Sequence, residues 1–395
     1  MGIENAIRCI TPKEMRDINR TCILEYLRQH GAVSRSMIAS DLGLSLSSVV
    51  RITDDLTEDR LVHLQGAYET SGGRRRPLIE LDTQQNVVIS ITLGGTHATA
   101  CLCDITGAIL ERHTVQNHGM RGIACVDLLK SLADEMLGKV AARTVRGISV
   151  GVPGIVIGGN RVIAAPAVGL DNVLLADMLT PYYPYPVFVE NDVNLAALGE
   201  LWFGYGKQCN DLLYIHIGTL VGMGIVLGRC ILHGAHTGAG ELGYAVLDAE
   251  HLKYPFESMG ALEERISGFG MGNRTRAALS ANGTPNADAT AADLFRCAES
   301  GEHWAQEILQ DFLDKMAMVM INLAALFDPE IIVLGGGVME SAQAYIPRVA
   351  SMIRGKTPNP IHVLHSKLGK NARILGGCTS VLQHTNHYTI HKSML

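Results

Sequence analysis

The sequence predicts an α/β protein with a small, mostly helical head and a larger α/β body. Three observations predict it. The first sixty residues carry apolar positions at helical spacing, broken by Gly31 and Gly43. From residue 86 onward, short apolar runs rich in Val and Ile alternate with helical segments. Three of those runs end in Gly-rich turns, at 94–96, 218–219 and 335–337.

In the head, residues 13–30 place Met15, Ile18, Cys22, Ile23, Tyr26 and Leu27 on one stripe, and Gly31 ends the helix. Ser34 is placed to cap a second short helix, with Met37, Ile38 and Leu42 facing inward. Gly43 permits a tight turn into a third helix across 44–60, packed through Val49, Ile52 and Leu56. Two short helices around a Gly-containing turn form a helix-turn-helix pattern. Its outward positions Ser45, Ser47, Ser48 and Arg51 carry donors and acceptors where base edges and phosphates would lie. Residues 61–66 and 76–82 then read as two strands of a wing. Gly72 and Gly73 form its tip, and Arg74, Arg75 and Arg76 can reach phosphate or minor groove. A three-helix head also serves as a plain interaction module. The combination of helix-turn-helix, wing and Arg triplet favours binding to a double-stranded DNA operator.

Charge and composition narrow the classes further. Residues 1–80 hold 11 Lys/Arg and 11 Asp/Glu, so the net charge of −6 resides in the remainder, with 22 Lys/Arg and 28 Asp/Glu. A general basic coat for nucleic acid is excluded, and any DNA surface is local. No apolar run approaches the roughly 18 residues of a membrane span, and the N-terminus has no apolar signal core. Nine scattered cysteines without a CxxC pair fit reduced thiols in a cytoplasmic protein.

The body opens with strand, Gly94-Gly95-Thr96 turn and strand, the first hairpin of an actin-like ATPase. There, backbone N–H groups can approach a phosphate, although such a turn also serves as an ordinary hairpin. A strand then leads to Pro153-Gly154. Another runs into a helix with Glu190-Asn191-Asp192 at the junction. These side chains suit sugar hydroxyls, and Asp192 could accept a proton from one; alternatively, Asn191 or Asp192 merely caps the helix. Further on lie Gly218-Thr219, Glu241 and the buried strand into Gly335-Gly336-Gly337.

With GGT at 94–96, GVPG at 151–154, ENDVNLAALGE at 190–200, GELG at 240–243 and IIVLGGGV at 331–338, the chain resembles the ROK family. That family contains bacterial sugar kinases and repressors, including those for xylose and N-acetylglucosamine; the repressors possess a head that the kinases lack. The resemblance implies a winged helix-turn-helix at 1–81 and a two-lobed ribonuclease-H-like body. The small lobe would span 82–190, completed by a C-terminal helix at 374–386, and the large lobe 191–373. Pro153, Gly154, Asn191, Asp192, Glu241, Tyr244 and Glu263 are the candidate ligand-binding residues. Gly94, Gly95, Thr96, Gly218, Thr219, Gly336 and Gly337 form vestigial phosphate loops.

The departures from the family are informative. Kinase members carry a carboxylate for magnesium where this chain has Thr92, a poorer partner for that cation. Leu220 replaces a glycine in the second phosphate turn and is expected to intrude on it. Ala167 stands where an asparagine helps to hold sugar. Tyr244 replaces a zinc-ligating histidine and the family's cysteines are missing, so neither metal nor cofactor is expected. His233, His236 and His251 leave a different metal site open. The expectation is a homodimeric or tetrameric regulator without catalytic residues, Asp192 being a vestigial base. It binds a sugar or derivative; control by another protein in place of a small molecule is a further alternative. An ATP-dependent sugar kinase bearing a DNA-binding head is the alternative.

Overall fold

A computed structural model describes residues 11–71, 74–253 and 259–385, with backbone alone at residue 14, at 66–71 and at 74–76. In the head, α1 (Pro12–His30) is followed by β1 (Val33–Ser34), α2 (Arg35–Asp41), α3 (Leu46–Glu58), β2 (Val62–Ser71) and β3 (Arg74–Leu81). Serines start both short helices: Ser34 Oγ accepts the Met37 N–H, and Ser45 Oγ accepts the Ser48 N–H at 3.1 Å. Strand β3 lies between β1 and β2, pairing Ser71 with Arg74 at the hairpin end; Gly72 and Gly73 are outside the described residues. The core of the head is Ile23, Leu24, Leu27, Ile38, Val49, Ile52, Leu56 and Ile79. Met15, Cys22 and Met37 do not join it: the two methionines are 45% and 42% exposed, and Cys22 is exposed. The buried face of α1 is centred on Ile23, Leu24 and Leu27, one position round from the expected stripe.

The body contains two five-stranded sheets of the same topology. In the first, β4 (Asn86–Leu93), β5 (His97–Asp104) and β6 (Ile109–Gln116) form an antiparallel meander. After α4 (Ile123–Leu137), β7 (Thr144–Val152) runs parallel to β4. A small sheet of β8 (Ile155–Ile157), β9 (Arg161–Ala165) and β10 (Leu170–Leu174) precedes α5 (Leu175–Leu179). Then β11 (Val187–Asn191) completes the order β11-β7-β4-β5-β6.

Helix α6 (Asp192–Phe203) leads to the second sheet, with its meander β12 (Leu212–Ile217), β13 (Val221–Leu227) and β14 (Cys230–Ile231). A helical layer follows, formed by α7 (Ala261–Ile266), α8 (Gly268–Ala281), α9 (Ala291–Glu299) and α10 (His303–Phe327). Next come β15 (Ile331–Gly335), α11 (Gly337–Ala342), α12 (Ile346–Ile353), β16 (His362–His365) and α13 (Ala372–Thr385). The order is β14-β13-β12-β15-β16, with β12, β15 and β16 parallel. This duplication gives the two-lobed ribonuclease-H-like body.

Helices α6 and α13 join the lobes. Residues 192–202 of α6 are all buried, as expected of a helix covered on every side; they pack on β12, β13 and α13, while α13 packs on β4 and β7. The two backbones touch. A Cβ on Gly199 would overlap the Ala372 carbonyl oxygen, and one on Gly376 would overlap that of Leu195.

The head is firmly seated on the body. Arg28 of α1 lies over the Trp202 ring at 5.3 Å and the Phe203 ring at 5.0 Å, both at the end of α6. Across the joint, Asn86 Nδ2 donates to the Arg60 carbonyl at 2.6 Å. Arg146 donates to Asn86 Oδ1 and to the Asp59 carbonyl, each at 2.6 Å. Asn86 is fully buried, so each of these polar contacts replaces a lost hydration bond.

Candidate functional site

On α3, Ser45, Ser47 and Arg51 are exposed and Ser48 is half-buried. Ser45 is committed to its cap and also meets the hydroxyls of Ser47 and Ser48 at 3.1 and 2.8 Å. Ser47 and Arg51 therefore remain the outward polar groups of the first turns. Leu46, 52% exposed beside them, escaped the sequence reading, which sought only polar groups there. Further along, Asp54 pairs with Arg35 and Asp55 with Arg16, tying α3 to α2 and α1. These ion pairs neutralise acidic charge next to the candidate DNA face. Arg74, Arg75 and Arg76 begin β3 at the hairpin end, and their side chains lie outside the described residues.

Between the lobes lies a cleft of about 960 Å³. Gly94, Gly95 and Thr96, Gly218 and Thr219, and Gly336 and Gly337 all line it, so three turns far apart in sequence converge. They follow β4, β12 and β15; β4 and β12 are the equivalent first strands of the two sheets, and β15 lies beside β12. Gly336 shows why the last turn needs glycine: its φ is +100°, and a Cβ would strike the Ile217 carbonyl. Thr92 also lines the cleft. Leu220 does not intrude as expected. The turn closes through Gly218 N–H to the Leu220 carbonyl at 3.0 Å, and the 43% exposed Leu220 stays outside the lining.

Asp192 begins α6 and is 4% exposed. Its Oδ2 pairs with Arg373 Nη1 at 3.1 Å, and Arg373 Nη2 reaches His216 Nε2 at 2.6 Å. Burial raises the Asp192 carboxyl above the usual carboxylate range despite the opposing charge of Arg373. Burial, then the Arg373 charge, hold His216 well below the usual histidine range, so its ring is neutral and accepts from the guanidinium. Nothing in the sequence pointed to Arg373 or His216. They are 157 positions apart and belong to no motif.

Around this pair, Asn191 caps α6: its Oδ1 accepts the Val193 and Asn194 N–H groups, each at 2.9 Å, and its Nδ2 donates to the Gly154 carbonyl at 2.9 Å. Pro153-Gly154 is thereby fixed against the start of α6. Glu190 Oε1 accepts from Asn191 N–H and Asn194, and its Oε2 meets His233 across the lobes at 2.9 Å. Glu263 is buried, with Oε1 accepting the Val221 N–H at 2.8 Å. Crowding by neighbouring atoms, then the charges of Glu263 and Asp192, push the Glu241 carboxyl up, although the residue itself is exposed. Tyr244, 54% exposed, ends the short turn that Glu241 begins. Among the described residues, no group of three or more His, Cys, Asp or Glu side chains is arranged to hold a metal ion.

This duplicated body, with three glycine turns meeting in one cleft, matches a known family model over residues 88–384. The chain belongs to the ROK family. It is similar to a putative xylose repressor of Caldicellulosiruptor sp. (strain Rt8B.4), 27% identical over 384 residues, which are 93% of this chain and 96% of that one. It is also similar to the DNA-binding transcriptional dual regulator NagC of Escherichia coli (strain K12), 25% identical over 86% of this chain and 85% of that protein. In fold, this ROK chain resembles a ROK family transcriptional regulator described as a homologue of E. coli MLC. The TM-score is 0.80 at 23% identity, over 95% of this chain and 97% of the other. A ROK family glucokinase from Streptomyces griseus, solved with glucose and AMPPNP, gives a TM-score of 0.65 at 25% identity. It is covered over 99% of its own length and 75% of this chain. A quarter of this ROK chain thus lies beyond the kinase. Among the described residues no helix is long and apolar enough to cross a membrane.

Proposed function

We propose that this chain is a cytoplasmic DNA-binding transcriptional repressor of carbohydrate-metabolism genes, holding a sugar or sugar derivative in its cleft without phosphorylating it. The observation that carries the reading is the path from cleft to head. Helix α6 begins at Asp192, beside the candidate sugar side chains, and ends at Trp202 and Phe203 under Arg28 of α1. A ligand that moves the start of a buried, close-packed helix cannot leave the seat of the head unchanged. The repressors similar to this chain over nearly its whole length support the same reading.

The alternative, a sugar kinase with a head, is opposed by two residues. Thr92 supplies no carboxylate for magnesium, and the charge of Arg373, paired with Asp192 Oδ2, draws down the basicity of that carboxylate. A homodimer or tetramer would present two heads to half-sites about one DNA turn, or a multiple of it, apart.

The test has two parts. The purified chain, incubated with fragments of its own genome, retains specific duplexes at nanomolar affinity. With ATP, magnesium and a panel of hexoses and pentoses it produces no sugar-dependent ADP. Turnover near 1 s⁻¹, within the kinase range, would contradict the reading, as would indifference to every fragment.

A further inference from the structure

The first turns of α3 present more than hydrogen-bonding groups. Helix α3 gives Val49, Ile52 and Leu56 to the core of the head, whereas Leu46 and Val50 lie outside that core. Leu46 is the first residue of the helix and is exposed. Val50, half-buried, lies four residues on, so the two adjoin on the helix surface. With Ser47 and Arg51 they line one hollow on the outer face, whose carboxylates Asp54 and Asp55 are already held by Arg35 and Arg16. The face that opens α3 is therefore half apolar: a leucine–valine pair runs along one flank, a hydroxyl and a guanidinium along the other.

In a helix-turn-helix the first residues of the second helix meet base edges in the major groove. Those edges carry donors and acceptors at every base pair, and one apolar group only, the C5 methyl of thymine. A leucine set against guanine or cytosine strips water from O6, N7 or N4 and returns no hydrogen bond, which costs affinity. Against thymine it covers a methyl group, and both withdraw apolar surface from water. Ser47 cannot discriminate in this way, because a hydroxyl both donates and accepts and so can meet any base pair.

We propose that Leu46, backed by Val50, is a specificity-determining residue that reads the thymine methyl, so each operator half-site carries a thymine where the start of α3 enters the major groove. The assignment rests on the reading of the head as a DNA-binding domain. It concerns which base is read, not whether DNA is bound.

The test uses the full chain and a duplex selected from its genome, with fluorescence anisotropy as the readout. Each thymine is replaced in turn by deoxyuridine, which removes the C5 methyl and leaves every donor and acceptor in place. At one or two positions per half-site the replacement weakens binding about fourfold, the worth of one buried methyl group. Leu46→Ala loses at least as much affinity for the parent duplex and no longer distinguishes thymine from uracil at those positions, so the two changes are not additive. Its salt dependence and melting temperature match those of the unaltered chain, since neither a charge nor a core residue is lost. Tolerance of deoxyuridine at every position would overturn the inference, as would a Leu46→Ala chain that keeps the full thymine preference. In both cases, specific binding by the unaltered chain would leave the DNA-binding reading standing. A Leu46→Ala chain whose sedimentation mass changes while its thymine preference persists would assign the apolar pair to contact between copies instead. A chain that binds no duplex would overturn the reading of the head itself, and the inference with it.

Discussion

Arg51 stands exposed on the outer face of α3, one turn after Ser47 and nearly two turns from the cap at Ser45. Its guanidinium is the cation best placed to meet a phosphate or a guanine edge. Arg51→Ala therefore weakens binding to a selected duplex by about 1–3 kcal/mol, read as a loss of roughly 5- to 150-fold in fluorescence anisotropy. If it meets phosphate, the salt slope also falls by about one unit. Unchanged affinity and slope would place the DNA surface elsewhere. His216 answers to pH instead. Its folded form resists protonation because of burial and the neighbouring Arg373 charge. Below the ordinary histidine pKa of about 6.5, the unfolded chain therefore takes up a proton that the folded chain refuses. Stability falls as the solution is acidified through that window, by up to about 1.4 kcal/mol per pH unit from this group. In urea titrations at several pH values, His216→Asn, which keeps an acceptor for Arg373, shows a shallower acid loss than the parent. Equal slopes would show that His216 is not a buried neutral acceptor.

Helix α13 owes its place to glycines that ordinary helix logic disfavours. Gly in a helix interior costs about 1 kcal/mol relative to Ala, so Gly376→Ala on an exposed helix would stabilise. Here the new Cβ would overlap the Leu195 carbonyl of α6, and the helices would have to separate. Gly376→Ala is expected to destabilise by about 1–3 kcal/mol, seen as a lower urea midpoint at unchanged slope; a neutral or stabilising result would mean that the crossing has slack. At this scale much was legible in advance. The cap at Ser34, the turn at Gly43 and the strand ends at Gly94, Gly218 and Gly336 follow from local chemistry, which sequence records; Ser45, read as an outward DNA contact, is engaged as the cap of α3. The stripe on α1 was misplaced at Met15 and Cys22 because periodicity fixes spacing better than phase when several apolar residues adjoin. Leu220 was misjudged because a residue's identity in a turn does not say which way the turn faces. Asn191 illustrates a different limit: one amide can satisfy both a cap and a site, and only the fold shows that its oxygen is already engaged by two N–H groups.

In the whole molecule, two sheets of one topology hold the cleft between them, and the helices that cross beneath it also seat the head. The sequence revealed the head, the glycine turns and the ENDVNLAALGE junction because each is contiguous. It concealed the Asp192–Arg373–His216 contact and the Arg28 stack on Trp202 and Phe203, since each joins residues that only tertiary folding brings together. In the proposed function, those concealed contacts are the path from ligand to DNA. The most direct test is the affinity of the full chain for a duplex selected from its genome, measured with and without a saturating sugar or sugar derivative that binds it. The ligand should weaken DNA binding by about 5–150-fold, and the duplex should weaken ligand binding by the same factor, as linkage requires. Identical affinities with the cleft full and empty would show that head and cleft act independently, and the account would be wrong.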